Sequence, residues 1–113
     1  MTMKWLGNKL ELKGKTVEFS YEIEQVISWN DTFLVLVNIP EDSDEINNIF
    51  CISEDGEQLW RAEDLNVVRE GLLHLPYEAM EMKDDKLYAA DFYGRYYTLD
   101  PKNGKILEYS LKK

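Results

Sequence analysis

Apolar and polar residues alternate along most of the chain, and a period of two is the period with which an extended strand turns its side chains to opposite faces. Leu10-Glu11-Leu12 and Val17-Glu18-Phe19-Ser20-Tyr21-Glu22-Ile23 show it most plainly. Thr32 to Ile39 reads TFLVLVNI. That nearly unbroken apolar run, rich in β-branched residues, predicts a strand buried on both faces. Further strands are predicted over Asn48–Ser53, Glu57–Arg61, Glu78–Lys83, Lys86–Asp91, Arg95–Leu99 and Lys105–Leu111. Turn-forming residues separate them: Lys13-Gly14, Asn30-Asp31, Glu54-Asp55-Gly56, Asp84-Asp85 and Asp100-Pro101-Lys102-Asn103-Gly104. The last predicts a type I turn with proline second and a glycine free to take positive φ, the loop of a bulged hairpin.

Only Ala62 to Leu75 has helical spacing. Asp64 is placed as a cap, Leu65, Val68 and Leu72 fall at i, i+3 and i+7, and Pro76 stops the run. Gly71 and the pair Val67-Val68 shorten the expectation to at most one short helix near residues 63–72. The pattern as a whole predicts an all-β fold of antiparallel sheets with about ten short strands.

The strands repeat. Gly14-Lys15-Thr16-Val17-Glu18-Phe19-Ser20 and Gly104-Lys105-Ile106-Leu107-Glu108-Tyr109-Ser110 share Gly, Lys, Glu and Ser in register, and Gly56-Glu57-Gln58-Leu59-Trp60-Arg61-Ala62 is a third copy. Each follows a short strand: Leu10-Glu11-Leu12, Tyr97-Thr98-Leu99 and Phe50-Cys51-Ile52 respectively. Val26–Phe33 matches Met80–Leu87 at an offset of 54 residues. One β-rich domain is expected, with a half repeat at 4–20 and four-stranded repeats at 21–62 and 77–111. With Tyr97-Thr98-Leu99-Asp100-Pro101-Lys102-Asn103-Gly104-Lys105 as strand, turn and strand, these repeats resemble the blades of β-propellers, most closely the PQQ-type blade. The resemblance implies blade-like sheets packed face to face as a sandwich or partial propeller, or several chains assembled into a ring. Propellers close with about four to eight blades of about 40 residues. Two full copies and a half do not make that ring, so the cofactor sites of the ring-forming enzymes are not carried over and no cofactor is expected.

Composition bears on function more than on fold. At 113 residues and 44% hydrophobic content, the chain can bury a core without disulfide staples. A single cysteine, Cys51, excludes an internal disulfide and a multi-cysteine zinc site, and a single histidine, His74, excludes mechanisms that need two. No apolar run approaches the roughly 18 residues of a membrane span, and the opening MTMKWLGNKLEL lacks the apolar stretch of a secretory signal. A cytoplasmic location away from membranes is therefore expected.

The formal net charge is −9 and the pI about 4.5, which argues against nucleic acid because a phosphate backbone would be repelled. Residues 1–20 carry four lysines against two glutamates, and residues 101–113 four lysines against one, which leaves −14 on residues 21–100. The densest stretch is Glu41-Asp42-Ser43-Asp44-Glu45, readable as a solvated loop or as a landing surface for a basic protein. It is not a calcium loop: counted from Asp42, the sixth residue is Asn47 and the twelfth Ser53, where an EF-hand needs Gly and Glu. No metal is expected.

Catalytic constellations are missing from the pattern. His74, between Leu73 and Leu75, reads as a packing or surface histidine, and Cys51, between Phe50 and Ile52, as a small core residue. Glu54-Asp55 and Asp84-Asp85 are turn residues, and Gly94 and Gly104 do not form a phosphate loop. The aromatic run at 88–97 reads YAADFYGRYY. It assigns Tyr88 and Tyr97 to the core and places Phe92, Tyr93, Arg95 and Tyr96 at a rim, where Tyr and Arg make interface hot spots. Trp5 and Trp60 are expected to pack between sheets. The candidate partner-binding residues are thus Glu41, Asp42, Asp44, Glu45, Phe92, Tyr93, Arg95 and Tyr96. The function expected is non-enzymatic protein binding, with an immunity- or antitoxin-like inhibitor of a basic toxin such as a nuclease as its sharpest form. The alternatives are a scaffold or sensor subunit of a larger assembly, and a small-ligand or carbohydrate-binding or hydrolytic module. The sequence leaves the oligomeric state open.

Overall fold

A computed structural model describes residues 3–40, 46–63, 75–91 and 94–110. The described residues form three antiparallel sheets and no helix. The first sheet has strands β1 (Lys4–Leu6), β2 (Lys9–Leu12) and β3 (Lys15–Glu18). The central sheet has β4 (Ile23–Trp29), β5 (Thr32–Val37), β6 (Ile49–Ser53) and β7 (Gln58–Arg61). The third has β8 (Tyr77–Lys83), β9 (Lys86–Asp91), β10 (Tyr96–Leu99) and β11 (Ile106–Ser110). Within each sheet the strands lie in chain order, so every sheet is a meander.

The three sheets are separate, of three, four and four strands, and do not close into a propeller ring. That corrects the blade resemblance. Its carrier, Asp100–Lys105, is local hairpin chemistry: Gly104 N–H donates to Asp100 O (2.7 Å), Asp100 N–H to Lys105 O (2.9 Å), and Gly104 takes φ 76°. Such a turn joins any two antiparallel strands and does not dictate how sheets assemble. Residues 64–74, with His74 and all but the first residue of the helix expected at 63–72, lie outside the described residues.

The core follows from the run in β5, which is buried on both faces as its pattern predicts. Phe33, Val35 and Val37 face one way and join Leu10, Leu12 and Phe19 from the first sheet and its exit. Leu34 and Leu36 face the other way and join Tyr77, Met80, Leu87, Ala89, Tyr97 and Leu99 of the third. In β6 the same parity sends Ile52 to the first cluster and Ile49 and Cys51 to the second. Burying each such side chain contributes about 1.5–3 kcal/mol, so the central sheet anchors both outer layers.

Two-residue turns at Asn30-Asp31 and Asp84-Asp85 close the β4–β5 and β8–β9 hairpins. All four residues hold positive φ, between 44° and 61°, the primed turn whose twist matches the strands. The alternation from Val17 to Ile23, expected as one strand, divides at Glu18. Phe19 N–H bonds Asn8 O (2.9 Å) and Ile23 N–H bonds Gly7 O (2.8 Å), so the chain wraps the β1–β2 turn on its way to the central sheet. Both apolar residues stay in the same core cluster, which is why the alternation survives the bend.

Each edge strand of the two four-stranded sheets carries one extra residue. These bulges are Glu24 in β4, Leu59 in β7, Glu78 in β8 and Leu107 in β11. The exposure of Leu59 and Leu107, 52% each, belongs to these bulges.

Side-chain amides join the central and third sheets. In the β8–β9 hairpin Lys83 and Lys86 flank the turn and exchange both backbone bonds, so Met82 and Met80 turn theirs to the open side of β8. Gln25 meets Met80 there: its Nε2 donates to Met80 O (2.6 Å) and its Oε1 accepts from Met80 N–H (3.1 Å). Asn48, 1% exposed, does the same for Tyr77, donating to its carbonyl (2.7 Å) and accepting from its N–H (2.8 Å), with a further bond to Val37 O (2.8 Å). At the far edge Trp60 Nε1 donates to Pro101 O (2.9 Å), and Glu63 accepts Ile106 N–H on Oε1 (3.0 Å). A Cβ on Gly104 would run into the Trp60 ring.

Asn48→Ala strands a buried N–H and two buried carbonyls, and each unsatisfied group costs about 1–3 kcal/mol. Urea unfolding should show a lower midpoint with unchanged slope and a loss of at least about 3 kcal/mol. Gln25→Ala, at a half-buried position, should lose about 1–2 kcal/mol.

Candidate functional site

Strand parity gives the third sheet two unlike faces. Met80, Leu87, Ala89, Tyr97 and Leu99 point into the core. The residues between them point outward in two cross-strand rows, Ala79–Ala90–Tyr96 and Glu81–Tyr88–Thr98–Glu108. All seven are exposed or half-exposed. The alanines leave a shallow floor beside Tyr96, which is 55% exposed, and a glutamate ends the Tyr88–Thr98 row on either side.

The entry to β10 at Gly94 and Arg95 is held by one buried carboxylate. Asp91 Oδ1 accepts Arg95 N–H (3.1 Å), and Oδ2 accepts Arg95 Nε (2.7 Å) and the Tyr97 hydroxyl (2.9 Å). Asp91 N–H also donates to Arg95 O (3.1 Å), and Gly94 turns the chain at φ 78°. Burial, then the Asp91 carboxylate, pushes the Tyr97 hydroxyl above the usual tyrosine range. Tyr97 stacks edge-on against Tyr77 at 5.2 Å. Tyr96 therefore stands on a braced strand, its orientation set by Arg95 before it and Tyr97 after it.

Of the residues singled out from the sequence, Tyr96 lies on this outer face. Arg95 does not reach it: its side chain is 11% exposed and turned in against Asp91. Glu41, Asp42, Asp44, Glu45, Phe92 and Tyr93 lie outside the described residues. Tyr97 is in the core as expected, but Tyr88 is on the outer face, because Leu87 and Ala89 on either side point inward. Glu81, Tyr88 and Glu108 were missed, and counting parity outward from Leu87 would have found them. Trp60 packs between sheets as expected, whereas Trp5 remains 40% exposed.

Elsewhere, an open groove of about 660 Å³ runs between the first sheet and the β6–β7 turn, lined by Met3, Lys4, Leu12, Lys13, Phe33 and Glu54 among others. Its lining mixes Lys4 and Lys13 with Glu11, Glu54 and Asp55. Cys51 is buried, and burial pushes its thiol up against a smaller opposing effect of a Thr32 hydrogen bond. A raised thiol is a poor source of the nucleophilic thiolate. Among the described residues no group of three or more His, Cys, Asp or Glu side chains could hold a metal ion, and no helix is long and apolar enough to cross a membrane.

A family model described as Domain of unknown function (DUF7957) matches residues 1–111 and supplants the propeller resemblance. No curated protein matches the chain.

Cys51 and Tyr97 both stay neutral in the fold and ionise more readily once unfolded. Their contribution to stability is complete below about pH 8.5 and falls as pH rises, because the unfolded chain releases protons that the fold retains. Urea unfolding at stepped pH should show that loss, and Tyr97→Phe should flatten the part above about pH 10. A thiol reagent should leave Cys51 intact in buffer and modify it in denaturant.

Proposed function

The chain belongs to the DUF7957 family, and we propose that it is a non-enzymatic protein-binding module that takes a basic protein partner on the outer face of its third sheet. That face carries the reading: Tyr96 stands on a strand braced by Asp91 and Tyr88 on the strand paired with it, beside Ala79 and Ala90 and flanked by Glu81 and Glu108. Tyrosine gives large contact area at low entropic cost, and a shallow floor of alanines admits a partner's side chains. Glu81 and Glu108 favour a basic surface at the row they end, beyond which the Lys83–Lys86 pair closes the same face at the hairpin turn. The −14 carried by residues 21–100 adds steering over longer range.

The sharpest form of this function is an immunity- or antitoxin-like inhibitor. Nuclease toxins grip phosphates with basic surfaces, and an acidic module that covers such a surface blocks the substrate without chemistry of its own. The setting we propose is the cytoplasm, where a lone buried thiol stays reduced. Residues 41–45 extend the acidic character of the chain and supply a second contact in this reading.

The test is capture from an extract of the native host at low salt, with three baits: the wild-type chain, Tyr96→Ala/Glu81→Lys/Glu108→Lys, and Asp42→Lys/Asp44→Lys/Glu45→Lys. A stoichiometric basic protein should bind the first bait and be lost from the second. With that partner purified, Tyr96→Ala should weaken binding at least about tenfold, and added salt should slow association more than it speeds dissociation. Equal retention by the second bait, or partners that are acidic, would overturn the assignment.

A further inference from the structure

The first sheet is one strand short of the other two, and its outer edge differs from theirs. β4, β7, β8 and β11 all carry bulges, which bend an edge away from further pairing. β1 pairs with β2 in unbroken register: Lys4 with Glu11, Trp5 with Leu10, Leu6 with Lys9. Leu6 and Lys9 flank the Gly7-Asn8 turn and bond each other, so the N–H and C=O of Trp5 point to the open side. Among the described residues nothing from another element bonds them, whereas the matching groups of Met80 are met by Gln25. The edge is also apolar, with Leu6 80% and Trp5 40% exposed.

We propose that β1 is a homodimer edge, which pairs antiparallel with β1 of a second copy about a two-fold axis at Trp5. The strand is self-complementary in that register. Trp5 meets Trp5 and the two exchange both backbone bonds, which sets the indoles side by side on the inner face. Lys4 meets Leu6 on the outer face, so its aliphatic stem covers the leucine and the two Lys4 ammonium groups are not opposed. Charge is compatible with the same edge. Residues 1–20 sum to +2 in a chain of −9, so two acidic copies approach through this segment with less repulsion than through the −14 of residues 21–100. The contact is isologous and closes, joining two three-stranded sheets into one of six strands. It lies across the central sheet from the partner face described above and does not depend on it.

Sedimentation equilibrium on the full chain tests this. The wild type should be a concentration-dependent dimer. Leu6→Lys, which opposes two lysines across the axis, should raise the dissociation constant at least about tenfold while leaving the far-UV dichroism unchanged. Trp5→Pro removes an N–H that the β1–β2 ladder does not use and should give a monomer. A wild type that is monomeric up to its highest soluble concentration overturns the proposal and leaves the edge to a strand of another protein. A dimer that a folded Leu6→Lys chain retains at full strength overturns it as well.

Discussion

The Asn48 side chain supplies to Tyr77 the donor and acceptor that a neighbouring strand would have supplied, and it does so from a fully buried position. Hydrophobic burial is non-directional and would tolerate many slidings of the third sheet over the central one. A buried amide that must meet one particular N–H and C=O tolerates few, since a slip leaves polar groups unpaired in the core. Gln25 repeats the device at Met80, one step along the same edge. Together they fix which residues of β8 face the core, and hence which residues of β9 and β10 face away from it.

The outer face follows from that alignment. Its chemistry rests on a division of labour within one short segment: Asp91, Arg95 and Tyr97 bond one another inside the fold, while Tyr96 faces outward. A buried ion pair is weak evidence of stability. Here its hydrogen bonds to the Arg95 backbone and the Tyr97 hydroxyl hold the stretch of strand from which Tyr96 projects.

How much of this was legible in the sequence depended on the range of the interaction responsible. The run from Thr32 and the turn pairs Asn30-Asp31 and Asp84-Asp85 were readable, because burial on two faces and positive φ leave local marks. The strand expected from Val17 to Ile23 was not, because Phe19 and Ile23 remain apolar and buried on both sides of a bend that the β1–β2 turn imposes. Tyr88 was assigned to the core by alternation within the aromatic run, when parity with Leu87 and Ala89 decides its face. Arg95 looked like a rim residue because nothing local shows that Asp91 is buried beside it. The roles of Asn48 and Gln25 leave no pattern at all, since their partners lie 29 and 55 residues away. For the same reason the hairpin at Asp100–Lys105 could suggest a blade without revealing how the sheets stack.

The meander order of the strands has a consequence for synthesis of the chain. Each hairpin closes a short loop, so each sheet can form as soon as its own residues have emerged, and the layers arrive in the order in which they stack. Phe33, Val35 and Val37 find the first sheet already made. Leu34, Leu36, Ile49 and Cys51, on the opposite face, wait for Tyr97 and Leu99 near the end of the chain. A nascent chain stalled before β8 carries a complete apolar face with nothing to cover it, a substrate for chaperones or for aggregation.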